Sequence, residues 1–476
     1  MLLANSYTRW SFLMAALFAP VVYGQANIDA GALLREAQQT QGVLPKFTAF
    51  ASQKSVAAGL PALMAQALIH HPSLRVQANM QNAAKAGVDG AKWQYWPTPS
   101  VALERANTHD PAYRGDQSVA TVRLQQPLWT GGRLNGNLSK AEAQAILVQV
   151  DSEGVRLQLA FRVIQNWSDC AAAQGKVLAY EKSLDVHTRL LALVERRTRE
   201  GASAQADIDL ARSRLEGIEA DLASAKAQRD TALDRLRLLV GRDVLVSELS
   251  QVANSLPPEH EVAQASLLNA AREQSPLIAK ARAQDKIAEA ELEIAQAALS
   301  PEVYLRAERQ YGNLYQANQD PQNRLFVGVS TAFGGGLSSL SGIDTARARL
   351  RAAQEDIQTQ QLAVDEQVLS DITLERTAEK RRQNLERVRY FSNEVYSSWE
   401  RQFLAGRKQW QDLMNAAREQ TQNDVQLADA IAAQHLTGWR LNVMTRGLDA
   451  SLQLNERLVA PVHASYSIYK ARYAKP

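Results

Sequence analysis

Long apolar runs are nearly absent from this 476-residue chain. No segment reaches the roughly 20 consecutive apolar residues that cross a bilayer as a helix, and the one apolar run close to the start, Trp10 to Val22, also falls short, which excludes a membrane-helix bundle. An excess of one charge is lacking as well, since 53 Lys and Arg stand against 50 Asp and Glu for a net of +3. A nucleic-acid partner would need basic residues gathered on one face, and none are visible. Cysteine is reduced to Cys170, so no intramolecular disulfide can form. Cys170 does not follow the opening apolar stretch, so N-terminal lipidation is not expected, and a small helix-buried thiol is its expected role. Aromatics make up only 6% of the residues, while Ala, Gln, Arg, Leu and Glu fill the long runs, a composition typical of long helices and coiled coils.

Patterns for catalysis are missing too. The histidines His70, His71, His109, His187, His260, His435 and His463 show no metal-ligand spacing. Neither the nucleophile-elbow nor the phosphate-loop pattern occurs. Gly334, Gly335 and Gly336 are not followed by Lys-Ser/Thr and read as a turn. The His70–His71 pair has no acidic or cysteine neighbour and reads as a junction between two helices. No enzyme activity, cofactor or metal is expected.

Proline is withheld from two long stretches, between Pro127 and Pro257 and between Pro321 and Pro461. Because proline costs about 3 kcal/mol inside a helix, the two gaps predict two long helical regions. Each opens on a strand-like run and a glycine turn: Gln126-Pro127-Leu128-Trp129-Thr130-Gly131-Gly132-Arg133 in the first, Phe333-Gly334-Gly335-Gly336 in the second.

Met1 to Gly24 carries one basic residue, Arg9, then an apolar run from Trp10 to Val22, then the small residues Gly24 and Ala26. This is the shape of a secretory signal peptide, and an exported chain without a membrane helix is either soluble or a β-barrel. Residues 27–59 show no sustained period. Helices follow around Pro61 and Pro72, each suited to a first helical turn. Strands are predicted over 100–106 and 117–128, a helix from Asn135 to about Glu200, and a turn at Gly201 placed as a C-terminal cap. At 1.5 Å per residue that helix spans on the order of 100 Å. In the return helix Ile208, Ala211, Leu215, Ile218, Leu222, Ala225, Ala232, Leu236 and Leu239 recur at intervals of three and four, the coiled-coil period.

The order then repeats. Helix is predicted around Pro276, strands over 302–311 and 324–333, a long helix over 344–405, a break at Gly406 and a return helix to about Gly447. An offset of 204 carries Pro72 onto Pro276, Pro97 onto Pro301, Glu104 onto Glu308, Arg105 onto Arg309, Gly131 onto Gly335 and Gly132 onto Gly336; an offset of 205 carries Gly201 onto Gly406. This is an internal duplication. The expected layout is a signal peptide at 1–26, a first repeat at 27–241, a connector at 242–260, a second repeat at 261–447 and a C-terminal segment at 448–476. The apolar phase of 324–333 does not match that of 117–128, so the outward strand face is left open.

Four strands cannot close a barrel whose edges must all be paired, so an exported chain of this kind is expected to oligomerise. The stretch Gln126–Arg133, the helix-proline-strand pattern from Pro72 to Pro97 and their copies 204 residues later resemble the TolC family of outer-membrane exit ducts. The resemblance implies a mainly α chain with a small β part: a homotrimer whose 12-stranded outer-membrane β-barrel, four strands per chain, is continuous with a long α-helical coiled-coil barrel in the periplasm. It also implies outer-membrane lipid, a periplasmic adaptor (membrane fusion protein) and an inner-membrane ABC or RND transporter as partners.

The same resemblance places the periplasmic aperture at Asp412, Asn415, Lys408 and Phe403. It places adaptor-contacting tips at Gly201, Asp207, Gly406 and Arg407, and strand-to-helix corners at Pro127, Gly131, Gly132, Gly334, Gly335 and Gly336. Asn415 stands where a second acid is common, and Phe403 where a hydroxylated ring is common. The Trp-rich segment Lys92–Pro97 and the Trp399/Trp410 pair are similar to the branch that serves type I secretion of large adhesins, with multidrug efflux as the alternative cargo. A periplasmic adaptor or coiled-coil scaffold is the reading from a different class, but an adaptor has one helical hairpin where this chain has two.

Overall fold

The computed structural model describes residues 59–105, 107, 110, 112–250, 263–331, 335 and 338–452. The expected signal peptide, the arm before residue 59, most of the connector and residues 453–476 lie outside them, as do Phe333, Gly334 and Gly336.

Two helices open the described chain, α1 (Leu60–His70) and α2 (Pro72–Trp93). His71 separates them, and its ring Nδ1 accepts a hydrogen bond from the Ser73 backbone N–H at 3.2 Å, so His71 serves as the helix cap of α2. Strands β1 (Thr98–Arg105) and β2 (Ser118–Trp129) follow, then the long hairpin of α3 (Arg133–Arg199) and α4 (Gln205–Val240). A short α5 (Val246–Ser250) leads to the second repeat: α6 (Gln264–Gln274), α7 (Pro276–Ala297), β3 (Glu302–Tyr311), β4 (Gln322–Ser330), α8 (Ser338–Leu404), α9 (Trp410–Arg446) and α10 (Leu448–Ser451). The last strand ends three residues before the predicted limit, and α8 begins at Ser338 rather than at Asp344.

Long-range packing follows the predicted stripe. Ile208, Ala211, Leu222, Ala225, Ala232 and Leu236 of α4 are buried, and Leu222 and Ala225 cluster with Val177 of α3. Where the first repeat docks on the second, Leu60, Leu63 and Met64 of α1 join Ile164 and Trp167 of α3, Leu233 and Leu236 of α4 and Trp439 of α9 in the largest core. The second repeat reproduces this with Leu267, Ala271 and Ile278 against Val364, Val368, Ile372 and Leu441. Leu63 and Ala67 correspond to Leu267 and Ala271 at the same 204-residue offset, so the duplication holds in the cores as well as in the turns.

All four strands form one antiparallel sheet in the order β1-β2-β3-β4, the repeats joined by β2 against β3. Val101 pairs with Val122 and Leu103 with Ala120 in the first hairpin, and Ala307 pairs with Leu325 and Leu305 with Val327 in the second. These pairings set β1 and β3 204 residues apart but β2 and β4 205 apart. One residue gained between β3 and β4 thus accounts for the mismatched apolar phase.

Candidate functional site

Sheet register decides which residues share a face. Val101, Leu103, Ala120, Val122, Leu124, Val303, Leu305, Ala307, Leu325, Val327 and Val329 fall on one side. The opposite side carries Ser100, Thr121, Arg123, Gln125, Arg306, Glu308, Gln310 and Arg324. There Arg123 pairs with Glu308 at 3.3 Å and the Arg306 guanidinium covers the Phe326 ring at 4.6 Å. In a single chain the apolar side is open to solvent, with Leu103 81% and Val327 72% exposed, a patch that demands a cover. Among the described residues both outer strands, β1 and β4, present unpaired edges, which soluble proteins normally block.

At the helical end of the sheet, Trp93, Trp96, Leu128 and Trp129 are each at least half exposed, and the Trp93 and Trp96 rings lie 6.2 Å apart. Exposed indoles at the border of an apolar band are the arrangement that suits a membrane–water interface. The strand-to-helix corner sits beside them. Gly131 and Gly132 adopt φ of +59° and +98°, and a Cβ on Gly131 would fall 2.1 Å from the Ser300 Cβ. Pro127 precedes the corner at an irregularity in the β2–β3 ladder, where its missing N–H is tolerated. Arg133 then bonds Glu302 at 2.5 Å, tying the start of α3 to the first residue of β3. Of the equivalent second corner, Gly335 is described, and a Cβ there would meet nothing within 4 Å.

The hairpin tips are built alike. Gly201 N–H donates to Thr198 C=O and Ala202 N–H to Arg197 C=O; Gly406 N–H donates to Phe403 C=O and Arg407 N–H to Gln402 C=O. This paired bonding closes a helix on a left-handed residue, and φ is +78° at Gly201 and +72° at Gly406. Asp207 opens α4 by accepting a hydrogen bond from the Ala204 N–H at 3.2 Å.

Side chains near the tips divide into two groups. Phe403 and Trp410 are buried with Leu190 and Val194, with Ile208 and with Leu413 in a core shared by both hairpins. The Arg197 guanidinium lies 4.7 Å over the Phe403 ring. Lys408 stays within its own hairpin, 4.2 Å over the Trp399 ring and 3.2 Å from the Asp412 carboxylate. Asp412 is half-exposed, while Asn415 and Glu419 are exposed; their spacing puts all three on one helix stripe. The structure therefore brings Lys408 and Asp412 together, holds Phe403 away from solvent and leaves Asn415 open. Sequence reasoning missed Arg197 and Glu419. Glu419 was detectable as the acid one turn beyond Asn415, whereas Arg197 is revealed only by the packing of the two hairpins.

Among the described residues no helix is long and apolar enough to cross a membrane, and no group of His, Cys, Asp and Glu could hold a metal. Cys170 is fully buried, and burial pushes its thiol pKa up to about 12, which keeps it protonated and unreactive.

Residues 63–242 match the model of the outer membrane efflux protein family. The chain is 28% identical over 174 residues to the cobalt-zinc-cadmium resistance protein CzcC of Cupriavidus metallidurans, covering 36% of this chain and 40% of that protein. It is 24% identical over 310 residues to the protein CyaE of Bordetella pertussis, covering 63% and 64%. It therefore spans about two fifths of the length of the first relative and just under two thirds of the second. Among solved structures, the outer membrane protein VceC of Vibrio cholerae superposes with a TM-score of 0.69 at 16% identity, covering 82% of this chain and 96% of that one. The chain thus carries a segment that matches the outer membrane efflux protein family over 63–242 and shares its fold with a solved outer-membrane channel over most of its length.

Proposed function

We propose that the chain is one subunit of a homotrimeric export duct working with a periplasmic adaptor and an inner-membrane ABC or RND transporter. The sheet carries this reading: four strands, two open edges and one apolar face exposed in the single chain. Three copies with β1 beside the next copy's β4 would close a barrel of about twelve strands and leave no edge. Lipid would then cover Leu103 and Val327, and the Arg123, Glu308 and Arg324 side would face water. Helices of 67 residues, on the order of 100 Å long, would continue the barrel as a periplasmic tunnel.

In this assembly Gly201, Asp207, Gly406 and Arg407 form the tips that meet the adaptor. Asp412, with Asn415 and Glu419 on the same stripe, lines the aperture. Three symmetry-related carboxylates in a narrow pore raise the local cation concentration. Lys408 tempers each Asp412, and the Arg197–Phe403 contact holds the second hairpin against the first. The strand-to-helix corners at Pro127, Gly131 and Gly132 and at Gly335 set the direction in which the tips point.

As cargo we propose a large protein such as an adhesin, exported by type I secretion; the Trp-rich segment and the Trp399/Trp410 pair support this through the family resemblance. Efflux of small toxic solutes is the second reading, favoured by the likeness to a cobalt-zinc-cadmium resistance protein. Deleting the gene separates them: loss of surface adhesin with unchanged drug and metal tolerance supports secretion, and the reverse supports efflux. Recovery of the protein only as a soluble periplasmic monomer, with no SDS-sensitive trimer in the outer membrane, would overturn the duct.

A further inference from the structure

A groove of about 360 Å³ lies between α3, α8 and α9, away from the tips and the sheet. Its shape follows from small residues. Gly175 stands where a Cβ would come within 2.6 Å of the Ala428 Cβ, so α3 and α9 approach almost backbone to backbone and leave a trough beside the contact. Leu178, Leu427 and Ile431 give the trough apolar walls, and Leu178, 56% exposed, stands at its mouth.

The two ends differ. One holds His435, which lines the groove, is 1% exposed and has no hydrogen-bond partner at either ring nitrogen. The Oε1 of Gln174, also in the lining, is buried without a partner. Orphaned polar atoms at this depth are costly, and a ligand hydroxyl would satisfy them. The other end carries the Lys182–Asp424 pair, 2.9 Å apart, and the exposed Arg389, leaving one cation in excess. Lys182 and Ala171 are separated along α3 by about 16 Å, the reach of a medium-length amphiphile.

We propose that this groove binds a small amphipathic carboxylate bearing a hydroxyl at its far end. The carboxylate meets Arg389, the apolar body lies along Leu178, Leu427 and Ile431, and the hydroxyl reaches His435 and Gln174. An apolar trough with a few convergent polar groups is the general form of a small-molecule site. The lining residues lie away from the tip residues, and the binding site does not depend on the duct reading.

Calorimetry on the full chain in lipid nanodiscs, with decanoate and ω-hydroxydecanoate as probes, tests it. Binding is expected for both, with the hydroxylated probe about fivefold tighter, the worth of one hydrogen bond. His435→Phe should remove that preference, Arg389→Gln should weaken both probes about tenfold, and Leu178→Trp should block both. Arg389 and Leu178 are exposed, so their variants remain informative even where His435→Phe fails to fold. Equal affinity of the two probes, or binding unchanged in Arg389→Gln and Leu178→Trp, would overturn the proposal. So would a Leu178→Cys variant that resists maleimide because a second copy covers the groove.

Discussion

The guanidinium of Arg197 lies 4.7 Å from the centre of the Phe403 ring, and it joins the last turn of α3 to the last turn of α8. Neither residue is close to the other in sequence, and both sit just before a tip glycine. The contact is thus a direct mechanical link between the two hairpins at the end where a duct would open. Arg197→Ala should lower the barrier to tip separation, a cation–π contact being worth about 0.5–2 kcal/mol. Phe403→Ala removes the same contact and also empties a buried site, at a cost of about 3–5 kcal/mol. Planar-bilayer recordings should show longer or more frequent openings for Arg197→Ala. If the pair is the link, Arg197→Ala should add nothing further in a Phe403→Ala background.

Asp412 and Lys408 form an ion pair at 3.2 Å with Asp412 half-exposed, so direct screening by solvent keeps its energy small and its influence is mainly on local potential. Asp412→Ala should reduce cation preference and Lys408→Ala should raise it, since the first leaves the cation and the second leaves the carboxylate. Glu419→Ala should add to the Asp412→Ala loss. Reversal potentials in asymmetric salt read this directly, and unchanged selectivity in all three variants would remove these residues from the aperture.

Gly131, Gly201 and Gly406 all adopt positive φ but differ in surroundings. At the two tips an added Cβ would meet nothing within 4 Å, while at Gly131 it would strike Ser300. Alanine at a tip therefore incurs only the backbone penalty, about 1–2 kcal/mol. At Gly131 overlap with Ser300 is added, and the corner, with its Arg133–Glu302 bond, must shift. Thermal melts should place Gly131→Ala well below Gly201→Ala and Gly406→Ala, and the Gly131 variant should yield less trimer.

These glycines and the proline gaps made the hairpins legible in the sequence, because φ preference and the missing proline N–H act locally. The Ile208–Leu239 stripe was equally plain, since one helix carries the whole period. The outward strand face was not legible: it depends on one residue gained between β3 and β4, and a single-residue slip exchanges every side chain between faces. Arg197 was hidden for a related reason. Its partner Phe403 is fixed only once α3 and α9 pack through Gly175 and Ala428, a contact between repeats that no local pattern encodes.

His435 supplies a pH dependence. Its ring is buried among α3, α8 and α9, edge-on to Trp167 at 5.3 Å, and burial, with a smaller contribution from the nearby Arg382 charge, lowers its pKa to about 4. Arg389, Lys182 and Asp424 line the same groove; none of these groups makes a hydrogen bond to the ring, whose two nitrogens are unpartnered. In the unfolded chain the imidazole titrates near its ordinary value of about 6.5. Between these two values the unfolded state takes up a proton that the folded state refuses, so stability is full above about pH 6.5 and falls as pH drops toward 4, by about 3 kcal/mol in all. His187, buried beside Ser183, has a pKa lowered mainly by burial and adds slope of the same sign. His435→Phe keeps the ring volume against Trp167 and removes the titrating group without leaving a new orphan. The melting temperature of the native protein should therefore drop more steeply from about pH 7 to about pH 4.5 than that of the variant, with His187 and the carboxylates supplying the slope that remains. Parallel curves for the two proteins would mean that the ring is already solvated in the folded state.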